Sequence, residues 1–157
     1  MYSPETGIPK KTPHFDKWPV HCVANTRGAD FHKDLNIQPG DIIINKGVGQ
    51  ADGYSGWEGK SETNETLESI ITPKTPHEKV KVLLGGLATD FCVEYTARDI
   101  AKHFKDDMRV TIYLLIDAIR AVGLTPTAEE EALSAMKEAG ILAISTEEAK
   151  KMIQEAI

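Results

Sequence analysis

A cysteine at the start of a predicted helix is the side chain of this sequence best placed for nucleophilic chemistry. Cys92 lies in the stretch "GLATDFCVEYTARD", where an apolar run passes through glycine into a helical pattern. Unpaired backbone N–H groups and the positive end of the helix dipole favour a thiolate there, and they can also stabilise an oxyanion. Because free cysteine is among the most buried residue types, the position alone leaves a packing role equally open.

Lys46 is the second candidate for chemistry. It directly follows the β-branched run "DIIIN" and precedes "GVGQADGYSGWEG", a stretch that holds five glycines. Glycines let the backbone approach a ligand closely, and a buried cation would hold a neighbouring thiol in its ionised form. Without further context, a solvated lysine in a turn is the more common arrangement at such a position.

Two histidines near the start of the chain form a third constellation. His14 and His21 flank Trp18 in the stretch "TPHFDKWPVHCVANTRGADFHKDL". Two histidines are a weak metal signal, because zinc sites use three or four protein ligands. Cys22, next to His21, is either a further ligand or a buried thiol. The other histidines lie among charged residues and are predicted to be on the surface; they are His32, His77 and His103.

The elements that must position these residues alternate between strands and helices. Predicted strands cover residues 41–45, 80–86, 110–116 and 141–145. Predicted helices cover residues 64–72, about 90–104 and 127–140, and Thr89 is the predicted cap of the second. A last helix is predicted to begin at a capping box of Ser145 with Glu148. Residues 1–13 are predicted to be irregular. Strands joined through helices indicate a mostly parallel open sheet in a three-layer α/β/α fold.

The fold class itself brings the candidate residues together. Ligands of open parallel sheets bind beyond the carboxyl ends of the strands. Lys46 follows the first predicted strand, Cys92 follows the second and Asp117 follows the third. We therefore expect all three at one edge of the sheet, which favours a functional cysteine.

Composition narrows the class of protein. The 157 residues fit one domain, with 41% hydrophobic and 27% charged residues. The net charge of −6 gives no indication of a nucleic-acid or membrane partner. Two cysteines are too few for a disulfide scaffold, and no apolar run approaches the roughly 20 residues of a membrane span. We expect free thiols and a cytoplasmic protein.

Four stretches together resemble the nicotinamidase branch of the isochorismatase-like cysteine hydrolases. They are "WPVHCVANTRGA", "KGVGQADGYSGWEG", "GLATDFCVEYTARD" and "IDAIRAV". The resemblance runs from about Pro9 onward and implies one isochorismatase-like, Rossmann-like hydrolase domain over residues 1–157. It also implies an amidase that converts nicotinamide, its small-molecule substrate, to nicotinate and ammonia through a cysteine thioester.

The resemblance assigns roles around the thiol. Cys92 would be the nucleophile that attacks the carboxamide, and Lys46 matches the catalytic lysine of the family. The backbone N–H groups of Ala88 and Cys92 would form the oxyanion hole. The family carries a non-proline cis peptide bond just before that alanine, which is the bond between Leu87 and Ala88 here.

The resemblance also implies a divalent metal, zinc, that binds the pyridine nitrogen. His14 and His21 match positions of metal ligands, and Trp18 and Tyr54 match aromatic positions around the substrate ring. Thr6 and Ile8 stand where the family has a further aspartate and histidine; they are read from "ETGIPKKTPHF". Isoleucine cannot bind a metal ion, so we expect an incomplete ligand set.

A second departure concerns the general base. The family places its aspartate at the end of an N-terminal strand that resembles D-x-Q-x-D-F, and no such strand occurs in this sequence. We therefore expect the first two strands of the family to be absent and the chain to be N-terminally incomplete. Unpaired sheet edges would then require a homo-oligomer or strand swapping, or would leave the chain poorly stable. Asp52, Asp90 and Asp117 are candidates to replace the aspartate, and none is favoured. Asp90 is expected instead to support the turn or cap the helix, and Asp117 to pack or hydrogen-bond locally.

Three hypotheses follow. The first is a nicotinamidase-type amidase whose activity the missing aspartate and metal ligands would impair. The second is a related cysteine hydrolase that acts on another amide or on isochorismate-like substrates. The third is a non-catalytic remnant that serves as an oligomerising or interaction domain. The family residues Cys92, Lys46, Tyr54 and Trp18 favour the first.

Overall fold

A computed structural model of the chain describes residues 18, 20–48 and 53–155. The described part contains three strands and four α-helices. The strands are β1 (Val80–Leu87), β2 (Val110–Arg120) and β3 (Leu142–Ile144); the helices are α1 (Leu67–Ile71), α2 (Glu94–His103), α3 (Ala128–Glu138) and α4 (Thr146–Gln154). Two 3₁₀ turns cover Arg27–Ala29 and Gly56–Glu58, and a π-helical turn covers Thr89–Val93.

The three strands form an open parallel sheet in the order β1-β2-β3. Val80 lies opposite Val110, and Tyr113 lies opposite Leu142. Helix α2 lies in the crossover between β1 and β2, and α3 lies in the crossover between β2 and β3. Parallel strands need such long crossovers, and the observed order confirms the predicted α/β fold class.

The core lies between the sheet and the pair of helices α2 and α3. Ile100 on α2 and Met136 on α3 are almost completely buried, and they share one cluster with Ile112 and Leu114 of β2. Helix α4 also packs against β2, and its buried Ala149 is not part of that cluster. Burial on this scale supplies most of the free energy that opposes chain entropy.

The ends of the helices follow the predicted capping chemistry in most places. Ser145 and Glu148 form the predicted capping box, since each side chain accepts the other's backbone N–H. Gly140 adopts φ +85° just after α3, which is the left-handed conformation typical of a helix stop. The cap predicted at Thr89 is wrong. Its side chain makes no capping hydrogen bond, because the chain enters a buried π-helical turn at that point.

The strand predicted at residues 41–45 is not formed within the described part of the chain. Its only bridge there joins Asn45 to Lys60 in an antiparallel sense. Ile42 and Ile43 are 44% and 43% exposed. A β-branched run favours extended backbone, but a strand needs a partner along its length. None of the helices in residues 18, 20–48 and 53–155 is long and apolar enough to cross a membrane.

Candidate active site

The ammonium group of Lys46 is hydrogen-bonded to the thiol of Cys92. Lys46 Nζ lies 3.2 Å from Cys92 Sγ and donates a second hydrogen bond, of 2.9 Å, to the carbonyl oxygen of Gly53. The structure therefore brings Lys46 and Cys92 together as predicted, across 46 residues of sequence, although the strand predicted before Lys46 is not formed in the described sheet. Lys46 is exposed, whereas the sequence had suggested a buried cation, and Cys92 is partly buried.

The turn that carries Cys92 is held by its own backbone. The carbonyl oxygen of Ala88 accepts hydrogen bonds from the N–H groups of Phe91 (3.2 Å) and Val93 (3.0 Å). The peptide bond between Leu87 and Ala88 is cis, as the resemblance implied. Cys92 thus lies in the π-helical turn between the end of β1 and the start of α2.

Asp90 fastens this turn to the loop after β2. Its carboxylate oxygens accept hydrogen bonds from the N–H groups of Val122 (2.8 Å) and Gly123 (2.9 Å). Asp90 is 8% exposed, whereas Val122 and Gly123 are exposed. Hydrogen bonds to a charged acceptor of this kind contribute more to stability than neutral ones. Asp90 therefore supports the turn, which is the structural role that the sequence favoured over a base.

The other candidate carboxylates do not replace the missing base within the described part of the chain. Asp117 accepts hydrogen bonds from the N–H (2.8 Å) and the hydroxyl (2.7 Å) of Thr146. The Thr146 hydroxyl and then its N–H hold the pKa of Asp117 below its usual value. This local bonding was also predicted. Asp52 lies outside the described residues.

Aromatic side chains cluster around Phe91, the sequence neighbour of Cys92. Trp18 Nε1 donates a 2.7 Å hydrogen bond to Tyr54 Oη. Phe91, the neighbour of Cys92, packs edge-on against Trp18 at 4.9 Å between ring centroids and lies 5.4 Å from Tyr54. Tyr95 continues the group, 5.3 Å from Tyr54. Trp18, Tyr54, Phe91 and Tyr95 are called the aromatic group below.

Two members of the aromatic group were not identified from the sequence. Phe91 and Tyr95 are four residues apart at the start of a helix, and aromatic side chains at that spacing are usually read as core packing. The sequence signal that could have identified Phe91 was its position directly before Cys92, since the neighbour of a nucleophile lies close to a substrate bound there.

The segment that carries Tyr54 is attached to helix α2. The N–H of Gly56 donates a 2.8 Å hydrogen bond to Thr96 Oγ1. At Gly59, an added Cβ would lie only 2.5 Å from Ile44 Cγ2 and 2.8 Å from the carbonyl oxygen of Asn45. Glycine is needed there because the backbone approaches the segment before Lys46 so closely. These contacts position Lys46 and Tyr54 relative to α2.

A small cavity reaches the thiol from the side of β1. Its volume is about 180 Å³, and it is lined by Leu84, Gly85, Leu87, Cys92, Val93 and Thr96. Most of the lining is apolar, as is usual for sites that bind small molecules. Cys92 is therefore accessible from this cavity.

The predicted metal centre is not formed by the described residues. His14 lies outside them. His21 is exposed, with its ring 6.4 Å from the ring of Trp18, and the neighbouring Cys22 is exposed as well. Residues 18, 20–48 and 53–155 contain no group of three or more His, Cys, Asp or Glu side chains that could hold a metal ion. The described residues thus do not fit a divalent metal.

Comparison with known proteins places this geometry in a family. Residues 3–148 match the model of the isochorismatase domain. The chain is 31% identical to the nicotinamidase of Acinetobacter baylyi, over 82% of this chain and 57% of that protein. It is 35% identical to a pyrazinamidase of Pyrococcus horikoshii solved in complex with zinc, with a TM-score of 0.63, over 82% of this chain and 63% of that one.

A further relative was solved with a ligand. An L. infantum protein in complex with nicotinate is 29% identical, with a TM-score of 0.64, over 83% of this chain and 61% of that one. The chain spans about half the length of the curated relatives that it matches, between 48% and 57%. The isochorismatase domain covers nearly all of the sequence, and the chain therefore belongs to the isochorismatase-domain family, in which the relatives it matches are nicotinamidases and pyrazinamidases.

Proposed function

We propose that this chain carries the thiol chemistry of a nicotinamidase, the hydrolysis of nicotinamide to nicotinate and ammonia. The observation that carries the proposal is the 3.2 Å contact between Lys46 Nζ and Cys92 Sγ. The nearby aromatic group supports a planar aromatic amide as substrate. The relatives support the same reaction, since curated relatives are nicotinamidases and the L. infantum protein was solved with nicotinate.

The Lys46 ammonium stabilises the negative charge of the Cys92 thiolate. In the first half of the reaction the sulfur attacks the carboxamide carbon, and the carbonyl oxygen becomes an oxyanion. The backbone N–H groups of Ala88 and Cys92 are the proposed donors to that oxyanion. The carbon–nitrogen bond then breaks, the nitrogen takes up a proton, and ammonia leaves a thioester on Cys92.

Water completes the reaction. It adds to the thioester carbon, the carbon–sulfur bond breaks, and nicotinate leaves as the thiolate is regenerated. The water must lose its protons during this half, which requires a base. Asp90 is occupied by Val122 and Gly123, and Asp117 is occupied by Thr146. We therefore assign the base to neither carboxylate, and we expect hydrolysis of the thioester to be impaired in this chain.

Trp18 and Tyr54 are the proposed walls of the ring-binding site. Their mutual hydrogen bond of 2.7 Å fixes the indole and the phenol relative to each other. Aromatic faces in such a pair offer stacking or edge contacts to a pyridine ring. Phe91 connects both rings to the residue that carries the nucleophile, so binding of the ring would place the carboxamide near the thiol.

Zinc remains a proposal for this chain. It rests on the zinc complex of the P. horikoshii relative and on the resemblance at His14 and His21. The expected site would be weak, since Thr6 and Ile8 stand where the family has two further ligands. Metal content of the purified protein, measured with and without His21→Ala, tests it: equal zinc content in both proteins would contradict a role for His21.

We also propose a cytoplasmic protein that acts on a small molecule and forms a homo-oligomer. The oligomer is supported by β1, which is the outer strand of the described sheet and ends at the exposed Leu87. Open strand edges tend to pair with another chain. Sedimentation equilibrium measures the mass in solution, and a monomer at all concentrations would contradict the oligomer.

The proposed function is tested by ammonia release from nicotinamide. Cys92→Ala should lower the rate by about 10³-fold or more, because removal of a nucleophile eliminates the covalent route. Cys22→Ala is the matched control, since Cys22 is exposed and is not among the residues that contact Lys46; its rate should stay within about twofold. Equal release by the unaltered chain and by Cys92→Ala would overturn the proposal.

A further inference from the structure

Gly47 and Gly53, two glycines of the glycine-rich stretch after Lys46, touch each other. A Cβ added to Gly53 would lie 2.4 Å from the Cα of Gly47 and 3.0 Å from its nitrogen. No real side chain fits at such distances, and the obstacle is backbone that cannot rotate away. Both residues also have positive φ angles, +70° for Gly47 and +63° for Gly53. This pair is called the glycine contact below.

The glycine contact determines where one hydrogen-bond acceptor lies. The carbonyl oxygen of Gly53 accepts a 2.9 Å hydrogen bond from Lys46 Nζ. The same ammonium donates to Cys92 Sγ. A lysine side chain has four rotatable bonds and a spherical charge, so it needs fixed acceptors to hold one position. The Gly53 carbonyl is such an acceptor, and its place depends on the approach of the two glycines.

We propose that Gly53 is a positioning residue for Lys46. Its missing side chain allows the glycine contact, the contact places the Gly53 carbonyl, and the carbonyl directs the Lys46 ammonium toward the sulfur of Cys92. The inference rests on the proposed function only in the roles that it gives Lys46 and Cys92. It can be measured on the thiol itself, without turnover of any substrate.

Gly47 provides a matched control within the same contact. A Cβ added to Gly47 would lie 3.8 Å from the carbonyl oxygen of Gly53, which is an ordinary van der Waals distance. Gly47→Ala and Gly53→Ala therefore impose similar strain from positive φ. Only Gly53→Ala forces the two backbone segments apart.

Charged groups near the thiol define the pH experiment. Lys46 is hydrogen-bonded to the sulfur. Asp90 lies in the same turn, but its carboxylate is bonded to the N–H groups of Val122 and Gly123. Glu94 begins α2 and is paired with Arg98 at 2.8 Å. Neither acid contacts Lys46, so neither glycine variant alters these pairs directly.

The experiment measures alkylation of Cys92 by iodoacetamide as a function of pH, in a Cys22→Ser background that leaves one thiol. Displacing the ammonium removes a cation that favours the thiolate, so the midpoint of the rate profile should rise. We expect Gly53→Ala to raise it by about one pH unit and to slow alkylation at neutral pH about tenfold. Gly47→Ala should stay within about twofold of the parent.

A double-mutant cycle separates positioning from a general loss of structure. In a Lys46→Met background, Gly53→Ala should leave the alkylation rate unchanged, because there is no ammonium to displace. A further drop there would overturn the proposal. Equal effects of Gly47→Ala and Gly53→Ala in the parent, or no effect of either, would overturn it as well.

A second measurement does not depend on the folding of Gly53→Ala. In protein labelled with ¹³C at the glycine carbonyls, Lys46→Met should shift the Gly53 resonance and leave that of Gly40 unchanged. An unshifted Gly53 resonance would contradict the hydrogen bond and thus the proposal. If ammonia release fails while both measurements succeed, the proposed function is at fault and the positioning role stands.

Discussion

Asp90 shows how one buried side chain supports the cysteine turn. Each of its two carboxylate oxygens accepts a backbone N–H from the loop after β2, and the residue is almost inaccessible to water. Removing the carboxylate deletes two charge-assisted hydrogen bonds to the exposed residues Val122 and Gly123. The cost of such a loss exceeds the net gain from forming an ordinary hydrogen bond.

We predict that Asp90→Ala lowers the free energy of unfolding by about 2–3 kcal/mol. Asp90→Asn should lower it by less, since the amide oxygen can still accept one of the two hydrogen bonds. Urea denaturation measures both. Asp99→Ala, on the half-exposed surface of α2, is the control and should change stability by less than about 0.5 kcal/mol. A loss for Asp99→Ala equal to that for Asp90→Ala would contradict this role.

At the scale of residues, the sequence indicated the nucleophile and its cation but not what positions them. Cys92 and Lys46 were predicted at one sheet edge because parallel strands end there, and the structure places them in contact. Gly53 was seen only as part of a glycine-rich loop. Its role depends on the approach of Gly47, which no local pattern reveals. Phe91 was passed over because a helical aromatic usually packs in the core.

At the scale of elements, strands and helices were predictable where they alternate. The predicted strand 80–86 and the predicted helix 127–140 agree with the structure to within two residues. Strand β2 extends to Arg120, beyond the predicted end at Ile116, because Ile119 and Arg120 pair with Gly86 and Leu87 after a register shift. Pairing of that kind is non-local. So is the ladder that residues 41–45 lack, apart from the Asn45–Lys60 bridge, within the described part of the chain, and sequence periodicity reveals neither.

The contact between β2 and the start of α4 contributes a pH-dependent term to stability. Asp117 accepts both the hydroxyl and the N–H of Thr146, and these bonds hold the pKa of the carboxyl below its usual value. A lowered folded pKa stabilises the protein above the unfolded value, which is about 3.9. The stabilisation is lost as the pH falls through the folded pKa.

We predict that Thr146→Val destabilises the protein at pH 7 and that the difference from the parent disappears toward pH 2–3. The substitution removes the hydroxyl, which is the largest cause of the low Asp117 pKa. Glu148 titrates in the same range, since the Ser145 N–H lowers its pKa, but it is present in both proteins. Urea midpoints against pH measure the difference. Thr146→Ser is the control; a difference independent of pH would contradict the prediction.

At the scale of the whole molecule, the candidate site and the core belong to one packed unit. Val93, the neighbour of Cys92, lies in the same buried cluster as Ile100 of α2 and Met136 of α3. The sequence identified which segments fold, since apolar residues at helical and strand spacing form that cluster. The sequence could not show which sheet edge stays open, because that depends on which strand pairs with β1. The chain spans about half the length of its curated relatives.

If the core and the cysteine turn unfold together, a cavity made in the core should affect both equally. Met136 is 1% exposed, and Met136→Ala should lower the free energy of unfolding by about 2–5 kcal/mol. Met108 is 97% exposed, so Met108→Ala is a chemically identical control expected within about 0.5 kcal/mol of the parent. Urea denaturation followed by circular dichroism and by alkylation of Cys92 at each urea concentration should give one midpoint per protein. Exposure of the thiol at a lower urea concentration than loss of helix in Met136→Ala would show instead that the turn opens independently of the core.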